Sequence, residues 1–322
     1  MNRSHAIAAL GLLCGVAAQC AAAQEYPAKP VRIVVASAPG GGTDFVARVL
    51  NAQLAARLGQ PVVIDNRGGA GGTVGTDIVA KAAPDGYTVL MVFINFAIHP
   101  SLYEKLPYDS VRDFAPLSTL AVTPLVLVVP PQFAAKTVRE LIALGKTPAS
   151  RLNYAAPGVG SLGHLAGELF KSMTGVEMVH VAYKGGGPAI TALIAGEVQA
   201  YFSTMPAALT QIKAGRLRAL AVTSRARVAT EPAIPTIAES GVPGYDVSGW
   251  FGAMAPAQTP RNAVARLNRD ILAALAAPEI RERMAGEGIE PAGSTPEQFA
   301  AVIKADIAKW TRVVREARIK AD

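Results

Sequence analysis

The first segment of the sequence that could do chemistry is a glycine-rich turn at residues 37–44, where three consecutive glycines precede Thr43 and Asp44. An apolar run at 31–36 comes before the turn and predicts a buried strand. Apolar residues at helical spacing follow it: Val46, Val49, Leu50, Leu54 and Leu58. The first N–H groups of a helix have no partner within the helix and carry the positive end of its dipole. Because glycine leaves those groups accessible, we expect this turn to hold a carboxylate.

Two further loops are expected beside this turn. A predicted strand at 61–65 leads into a second glycine turn at 66–72, and a third, nearly all-apolar strand at 87–94 ends at Asn95. In open α/β sheets, ligands bind beyond the carboxyl ends of the strands. The three loops should therefore converge on one crevice.

A second α/β block repeats the order of strand, glycine turn and helix start. A predicted strand at 152–156 leads into the turn at 157–160, and Ser161 is expected to cap the helix that follows. A further strand at 177–183 is followed by the glycine turn at 184–187. The remainder, towards the C-terminus, carries helical apolar stripes that are typical of core packing.

The second block also contains the spacing of a dinucleotide-binding motif, at Gly158, Gly160 and Gly163. That motif needs an acidic residue at the end of the next strand, where it holds a ribose. Glu177 lies at the start of that strand and Lys184 at its end. We therefore expect neither a dinucleotide nor any other cofactor, although the turn can still bind an anion.

Side chains that could act as catalysts are few. Ser161 has Val159 two residues before it, so the glycine–serine–glycine elbow of a hydrolase is missing. Three histidines of the mature chain lack metal-ligand spacing: His99, His164 and His180. We expect no catalytic group and no metal. Asp44 leaves two interpretations open, a helix residue favoured by the dipole or an acceptor for a ligand hydroxyl or amine.

The N-terminal segment predicts export. A weakly basic start, an apolar run at 6–18 and a small-x-small pattern form a signal peptide at 1–23 that is cleaved near Ala23. The alternative is an N-terminal membrane anchor, for which the apolar run is short. Both cysteines, Cys14 and Cys20, lie in this segment, so the mature chain has no disulfide and no thiol.

Size and charge limit the remaining possibilities. The chain has 322 residues, and the mature part is long for one core but suits two domains. The formal net charge of the whole chain is +7, and its basic residues are scattered. The nearest approach to a basic cluster has no aromatic residues between its members: Arg216, Arg218, Arg225 and Arg227. We expect no nucleic-acid partner, whereas a mild positive field suits a small anion.

Short motifs in a fixed order cover essentially the whole mature chain. They include Pro39-Gly40-Gly41-Gly42-Thr43-Asp44, Ala83-Pro84-Asp85-Gly86-Tyr87-Thr88, Tyr183-Lys184-Gly185 and Trp250-Phe251-Gly252. The ordered set resembles the periplasmic receptors of tripartite tricarboxylate transporters, the Bug or TctC-like family. The resemblance implies an α/β, two-domain Venus-flytrap fold of the type II-like periplasmic binding proteins, in which each domain is a mostly parallel sheet flanked by helices. Domain 1 would comprise 24–122 and 247–322, domain 2 would comprise 123–246, and the ligand cleft would lie between them.

The resemblance also implies a function. By this resemblance, the chain would be a periplasmic solute-binding protein that captures a small carboxylate-bearing ligand and performs no catalysis. It would deliver the ligand to a membrane transporter through a transient contact. We expect a monomer in the periplasm without stable membrane insertion. Two other hypotheses use the same cleft: an orphan sensory or binding subunit without its own transporter, and a secreted hydrolase.

Site residues follow from the same resemblance. Domain 1 would contribute Pro39, Gly40, Gly41, Gly42, Thr43, Asp44, Gly71, Gly72 and Asn95. Domain 2 would contribute Ala156, Gly158, Gly160, Ser161, Tyr183, Ser203 and Thr204. Members of the family often have serine in place of Ala156, aspartate in place of Ser203 and proline in place of Gly68. The first two departures lie on the domain 2 wall, so the ligand of a relative is not transferred to this chain.

Overall fold

The computed structural model describes residues 26–147, 151–316 and 319 of the chain. The predicted signal peptide and both cysteines lie outside the described residues, and the cleavage near Ala23 stays a prediction. In the described part of the chain, none of the helices combines the length and apolar character needed to cross a membrane.

The described residues form an α/β fold with two linked sheets. The strands are β1 (Val31–Val35), β2 (Val62–Asn66), β3 (Thr88–Phe93), β4 (Phe114–Val129), β5 (Leu152–Ala156), β6 (Met178–Ala182), β7 (Ala200–Thr204), β8 (Arg218–Val222), β9 (Ser248–Pro256) and β10 (Glu290–Pro291). The helices are α1 (Gly42–Leu58), α2 (Thr73–Ala80), α3 (Asn95–Ile98), α4 (Val138–Gly145), α5 (Leu162–Thr174), α6 (Gly186–Ala195), α7 (Met205–Lys213), α8 (Arg261–Leu275), α9 (Pro278–Ala285) and α10 (Pro296–Glu316). Two short 3₁₀ turns, Ala70–Gly72 and His99–Ser101, follow β2 and α3.

The first sheet has the strand order β2-β1-β3-β9-β4, with β10 pairing to β4. β1 is parallel to both β2 and β3, which is the predicted strand–helix–strand arrangement. β9 enters from the C-terminal part of the sequence and is antiparallel to both β3 and β4. The predicted parallel strands are therefore present, and antiparallel neighbours complete the sheet.

The second sheet is built around β5, which is parallel to β6 and β7. β7 and β8 are antiparallel to the last residues of β4. β4 thus runs through both sheets, because Pro124 pairs with Ser248 in the first and Leu125 pairs with Thr204 in the second. The predicted boundary between residues 122 and 123 falls inside this shared strand.

Burial of its apolar face holds α1 beside the predicted site. The predicted apolar stripe of α1 is buried: Val46, Val49, Leu50, Leu54 and Leu58. It packs in one cluster with Val31, Ile33 and Val35 of β1. This packing holds the start of α1 at the carboxyl end of β1, directly after the glycine turn.

Candidate functional site

A cavity of about 410 Å³ lies where the loops after β1, β2, β3, β5, β6 and β7 meet. The cavity lies between loops of the first sheet and loops of the second. Several predicted residues line it: Gly41, Gly42, Thr43, Gly71, Gly72, Asn95, Gly158, Tyr183 and Thr204. All four predicted glycine turns and both sheets thus contribute to a single space.

α1, α6 and α7 begin at this cavity, and no side chain caps their first N–H groups. The N-cap residues are Gly41 for α1, Gly185 for α6 and Thr204 for α7. Glycine has no side chain to act as a cap, and the side chain of Thr204 accepts no N–H of α7. Elsewhere, Thr137 caps α4 with an oxygen that accepts from the N–H of Glu140. Uncapped helix starts combine free N–H donors with the positive end of a dipole. The cavity is therefore suited to an anion.

The three uncapped starts lie close together. A Cβ placed on Gly186 would lie 4.0 Å from the Cα atom of Gly41. A Cβ placed on Gly42 would lie 3.1 Å from the hydroxyl oxygen of Thr204 and 3.0 Å from the ring of Phe251. Glycine at these positions lets the three helix ends approach one point, which we call the anion pole (Gly41, Gly42, Gly186 and Thr204).

α2 also begins at the cavity, but its first donors are occupied. The N–H of Gly72 donates to the carbonyl of Gly69 at 2.9 Å, and the N–H of Thr73 donates to the carbonyl of Ala70. Carbonyls of the 3₁₀ turn therefore occupy the N–H groups of Gly72 and Thr73, whereas the corresponding N–H groups of α1, α6 and α7 are free.

The start of α5 is satisfied by protein groups as well. The side-chain oxygen of Ser161 accepts from the N–H of His164 at 3.2 Å, and Asn95 Oδ1 accepts from the N–H of Leu162 at 2.9 Å. Ser161 is fully buried, and it lies outside the cavity lining together with Gly160 and Ala156. At this predicted anion site, two helix N–H groups are thus already hydrogen-bonded. One acceptor belongs to the same strand–turn–helix unit, and the other comes from the segment after β3.

Asp44 is buried and braces the glycine turn. Its carboxylate accepts from the N–H of Gly40, from Arg48 Nε and from Asn66 Nδ2, each at 3.0 Å. Burial opposes ionisation of this group, but the hydrogen bonds from Arg48, Gly40 and Asn66 outweigh it and lower the pKa of Asp44. Asp44 lies outside the cavity lining, so the contacts favour the structural interpretation of this residue over that of a ligand acceptor.

Of the other predicted residues, Tyr183 lines the cavity, whereas Pro39, Gly40 and Ser203 lie outside its lining. Pro39 and Gly40 are exposed on the outer side of the first turn. Ser203 is buried and donates to the carbonyl of Thr204 at 3.1 Å. Tyr183 contributes to the lining, while its hydroxyl donates to Glu197 at 3.4 Å.

Several lining residues were not predicted from the sequence. Large apolar or aromatic side chains form much of the wall: Val92, Phe93, Phe96, Tyr103, Tyr201 and Phe251. His99 also lines the cavity, and it is only 1% exposed. Its Nδ1 lies 3.4 Å from the hydroxyl of Tyr108, and its Nε2 has no hydrogen-bond partner among the described residues. Burial lowers the pKa of His99 to about 4, so the imidazole is neutral near pH 7.

The charges around the cavity are unevenly placed. Among the described residues that line the cavity, Lys184 is the one with a charged side chain, and it lies in the loop before α6. That loop approaches the first glycine turn, since a Cβ on Gly185 would lie 3.1 Å from that of Ala38. The residues that the structure describes contain no group of three or more histidine, cysteine, aspartate or glutamate side chains that could hold a metal ion.

Comparison with known proteins identifies what the chain is similar to. The family model described as the tripartite tricarboxylate transporter family receptor matches residues 46–319. Protein BugT of Bordetella pertussis is 41% identical over 324 residues, which cover 99% of each chain. The structure of periplasmic binding protein BugD has a TM-score of 0.88 at 36% identity, covering 92% of this chain and 99% of that one. A structure of an R. palustris protein with adipate has a TM-score of 0.89 at 37% identity, with the same coverage.

Proposed function

Because the chain belongs to the family of tripartite tricarboxylate transporter receptors, we propose that it captures a small carboxylate in this cavity and delivers it to a membrane transporter. The family and the solved structures similar to this chain are binding proteins rather than enzymes. We also propose that the chain acts in the periplasm after its signal peptide has been removed, and that it performs no turnover.

The observation that carries this proposal is the meeting of three uncapped helix starts at one cavity. α1, α6 and α7 direct unpaired N–H groups towards the anion pole, and Lys184 stands in the adjoining loop. Backbone donors and helix dipoles stabilise a carboxylate without requiring a particular ligand body. Adipate in the related R. palustris protein supports a carboxylate as the ligand class.

Capture follows from the arrangement of the two sheets. One carboxylate oxygen accepts from the first N–H groups of α1, and the hydroxyl of Thr43 adds a donor at the cavity wall. α6 and α7 close on the same group from the second sheet. Exclusion of water from the closed cleft strengthens each of these polar contacts. Movement of the lobes about β4 and the segment before β9 would then release the ligand.

Binding to a panel of mono-, di- and tricarboxylates tests the proposal by calorimetry and thermal shift. Thr43→Ala should weaken binding about tenfold or more, because a buried hydrogen-bond partner contributes on the order of 1–3 kcal/mol. Thr210→Ala is the matched control, since Thr210 is exposed on α7 and outside the lining. It should bind as the wild type does.

Gly41→Val is a steric test of the same site. Gly41 has a φ of −85°, and a Cβ placed there has no neighbour closer than 3.6 Å, so valine fits the turn and projects into the cavity. We expect the melting temperature to be retained and carboxylate binding to be lost. Unchanged affinity in both Thr43→Ala and Gly41→Val, or a response to neutral or cationic ligands alone, would overturn the proposal.

A further inference from the structure

We propose that His99 binds a second, uncharged polar group of the ligand, so that the preferred ligand is a monocarboxylate with a hydroxyl or carbonyl at its other end. This inference rests on the proposed function, because it assigns the anion pole to the carboxylate. It names a second part of the cavity wall, at His99, and the chemistry that this part recognises.

The first argument is an unpaired buried atom. His99 is 1% exposed, it lines the cavity, and its Nε2 has no hydrogen-bond partner among the described residues. Buried polar atoms in folded proteins are nearly always hydrogen-bonded. Nδ1 already has a neighbour in the hydroxyl of Tyr108, at 3.4 Å. Nε2 is therefore the atom left to contact a ligand.

The second argument is access to that atom. A Cβ placed on Gly71 would lie 3.0 Å from His99 Nε2 and 3.8 Å from the hydroxyl of Tyr103. Gly71 itself lines the cavity and has a φ of +67°, a conformation that favours glycine. Since residue 71 has no side chain, a ligand lying along this turn can reach the imidazole.

The third argument concerns charge. The ring of His99 lies 5.4 Å from that of Tyr103, and the same cavity wall includes Thr76, Val92 and Phe96. The imidazole is neutral near pH 7 because burial lowers its pKa. The N–H groups of Gly72 and Thr73, at the start of α2, donate to carbonyls of the preceding 3₁₀ turn. Lys184 stands in the loop that approaches the anion pole. A second carboxylate beside His99 would be buried against a neutral imidazole, which cannot balance its charge, and this is unfavourable.

A neutral group has no such difficulty. A hydroxyl or carbonyl needs one hydrogen bond to offset its desolvation, and a neutral imidazole can supply one from Nε2. The aromatic and apolar side chains of the cavity lining suit an uncharged ligand body. The cavity thus has one pole for an anion and another for a neutral polar group.

The test compares ligands that differ only at the far end. Hexanoate, 6-hydroxyhexanoate and adipate form one series, and benzoate, 4-hydroxybenzoate and terephthalate form a shorter, rigid one. In at least one series, the wild-type protein should bind the hydroxy acid about tenfold more tightly than the unsubstituted acid, as one added buried hydrogen bond predicts. The dicarboxylate should bind more weakly than the hydroxy acid.

His99→Leu should bring the ratio between hydroxy acid and unsubstituted acid close to one, while His99→Gln should retain part of it. A loss of structure alone would weaken both acids alike and leave their ratio unchanged, so the ratio reports on contact with the ligand. The inference is overturned if the wild type prefers the dicarboxylate, or if His99→Leu leaves the ratio intact. The second result would mean that water, and not the ligand, binds Nε2 of His99. If no acid binds at all, the proposed function fails; if acids bind without this preference, only the role of His99 fails.

Discussion

Replacing Asp44 should destabilise the glycine turn far more than an ordinary surface carboxylate would. The side chain is 4% exposed and accepts from the N–H of Gly40, from Asn66 Nδ2 and from Arg48 Nε, each at 3.0 Å. Asp44→Ala removes all three contacts, so the N–H of Gly40 and the side-chain amide of Asn66 lose this acceptor. Asp44→Asn keeps one oxygen acceptor but removes the charge.

The magnitude follows from these contacts. A hydrogen bond to a charged group contributes about 1.5–3 kcal/mol, and two such bonds, from Gly40 and Asn66, are lost in Asp44→Ala. The ion pair adds at most about 1 kcal/mol, because the Arg48 side chain is 55% exposed. Because Gly40 is exposed, its N–H can bind water once the carboxylate is removed. We expect Asp44→Ala to lower the free energy of unfolding by about 2–4 kcal/mol, and Asp44→Asn by about half of that.

Urea unfolding near pH 7 measures this difference. Asp77→Ala is the matched control, because Asp77 makes an ion pair with Lys81 at the same helical spacing, and its hydrogen bond comes from that exposed lysine alone. It should cost about 0.5 kcal/mol. Since the pKa of Asp44 is lowered, its stabilisation is complete above the pKa of an unfolded aspartate, about 3.9. The stabilisation should then disappear as the pH falls through the lower folded value.

Ligand binding separates the two interpretations of Asp44. If the carboxylate serves only as a brace, Asp44→Asn should weaken binding of an amino acid and of its deaminated analogue by the same factor. If only the affinity for the amino acid falls, Asp44 is instead an acceptor for the ligand amine. That result, or a cost below about 1 kcal/mol for Asp44→Ala, would refute the reasoning.

Two further predictions concern the core and the response to acid. Gly167→Ala should lower the free energy of unfolding by about 1–3 kcal/mol, because the new Cβ would lie 2.3 Å from the ring of Tyr154. Gly286→Ala, with no contact closer than 3.4 Å, is its control, and equal urea midpoints for the two variants would contradict the packing argument. Burial lowers the pKa of His99 from 6.5 to about 4, so the folded chain binds fewer protons than the unfolded chain. The contribution of His99 to stability should be constant above about pH 6.5 and fall by up to about 3 kcal/mol towards pH 4; a pH profile identical in His99→Leu would show that another group is responsible.

The sequence was most informative where function depends on local order along the chain. The strand–turn–helix pattern at 31–58 predicted β1, the glycine turn and α1, because each needs only its own residues to be recognised. The family resemblance and the two-domain α/β fold are confirmed by the family model and the solved structures. The boundaries of the two domains and the roles of the site residues stay predictions.

Contacts between distant segments could not be predicted in the same way. β9 was missed because glycine and alanine weaken its strand signal, and because its neighbours in the sheet lie far away in the sequence. The helix start at Ser161 resembles an anion-binding site, yet Oδ1 of Asn95, which follows β3, accepts from the N–H of Leu162 there. His99 carries no spacing signal, and only the tertiary structure reveals its unpaired Nε2 in the cavity wall.

The position of β9 has a consequence for the order in which the chain can fold. β3 and β4 flank β9 in the sheet, although β4 ends at Val129 and β9 begins at Ser248. A chain synthesised from its N-terminus therefore has both of these strand edges unpaired until residues 248–256 have emerged. Such long-range pairing slows folding, because distant segments must meet before their contacts stabilise one another. The first sheet, which carries the glycine turn, can be completed only after the segments that form the second sheet have been made.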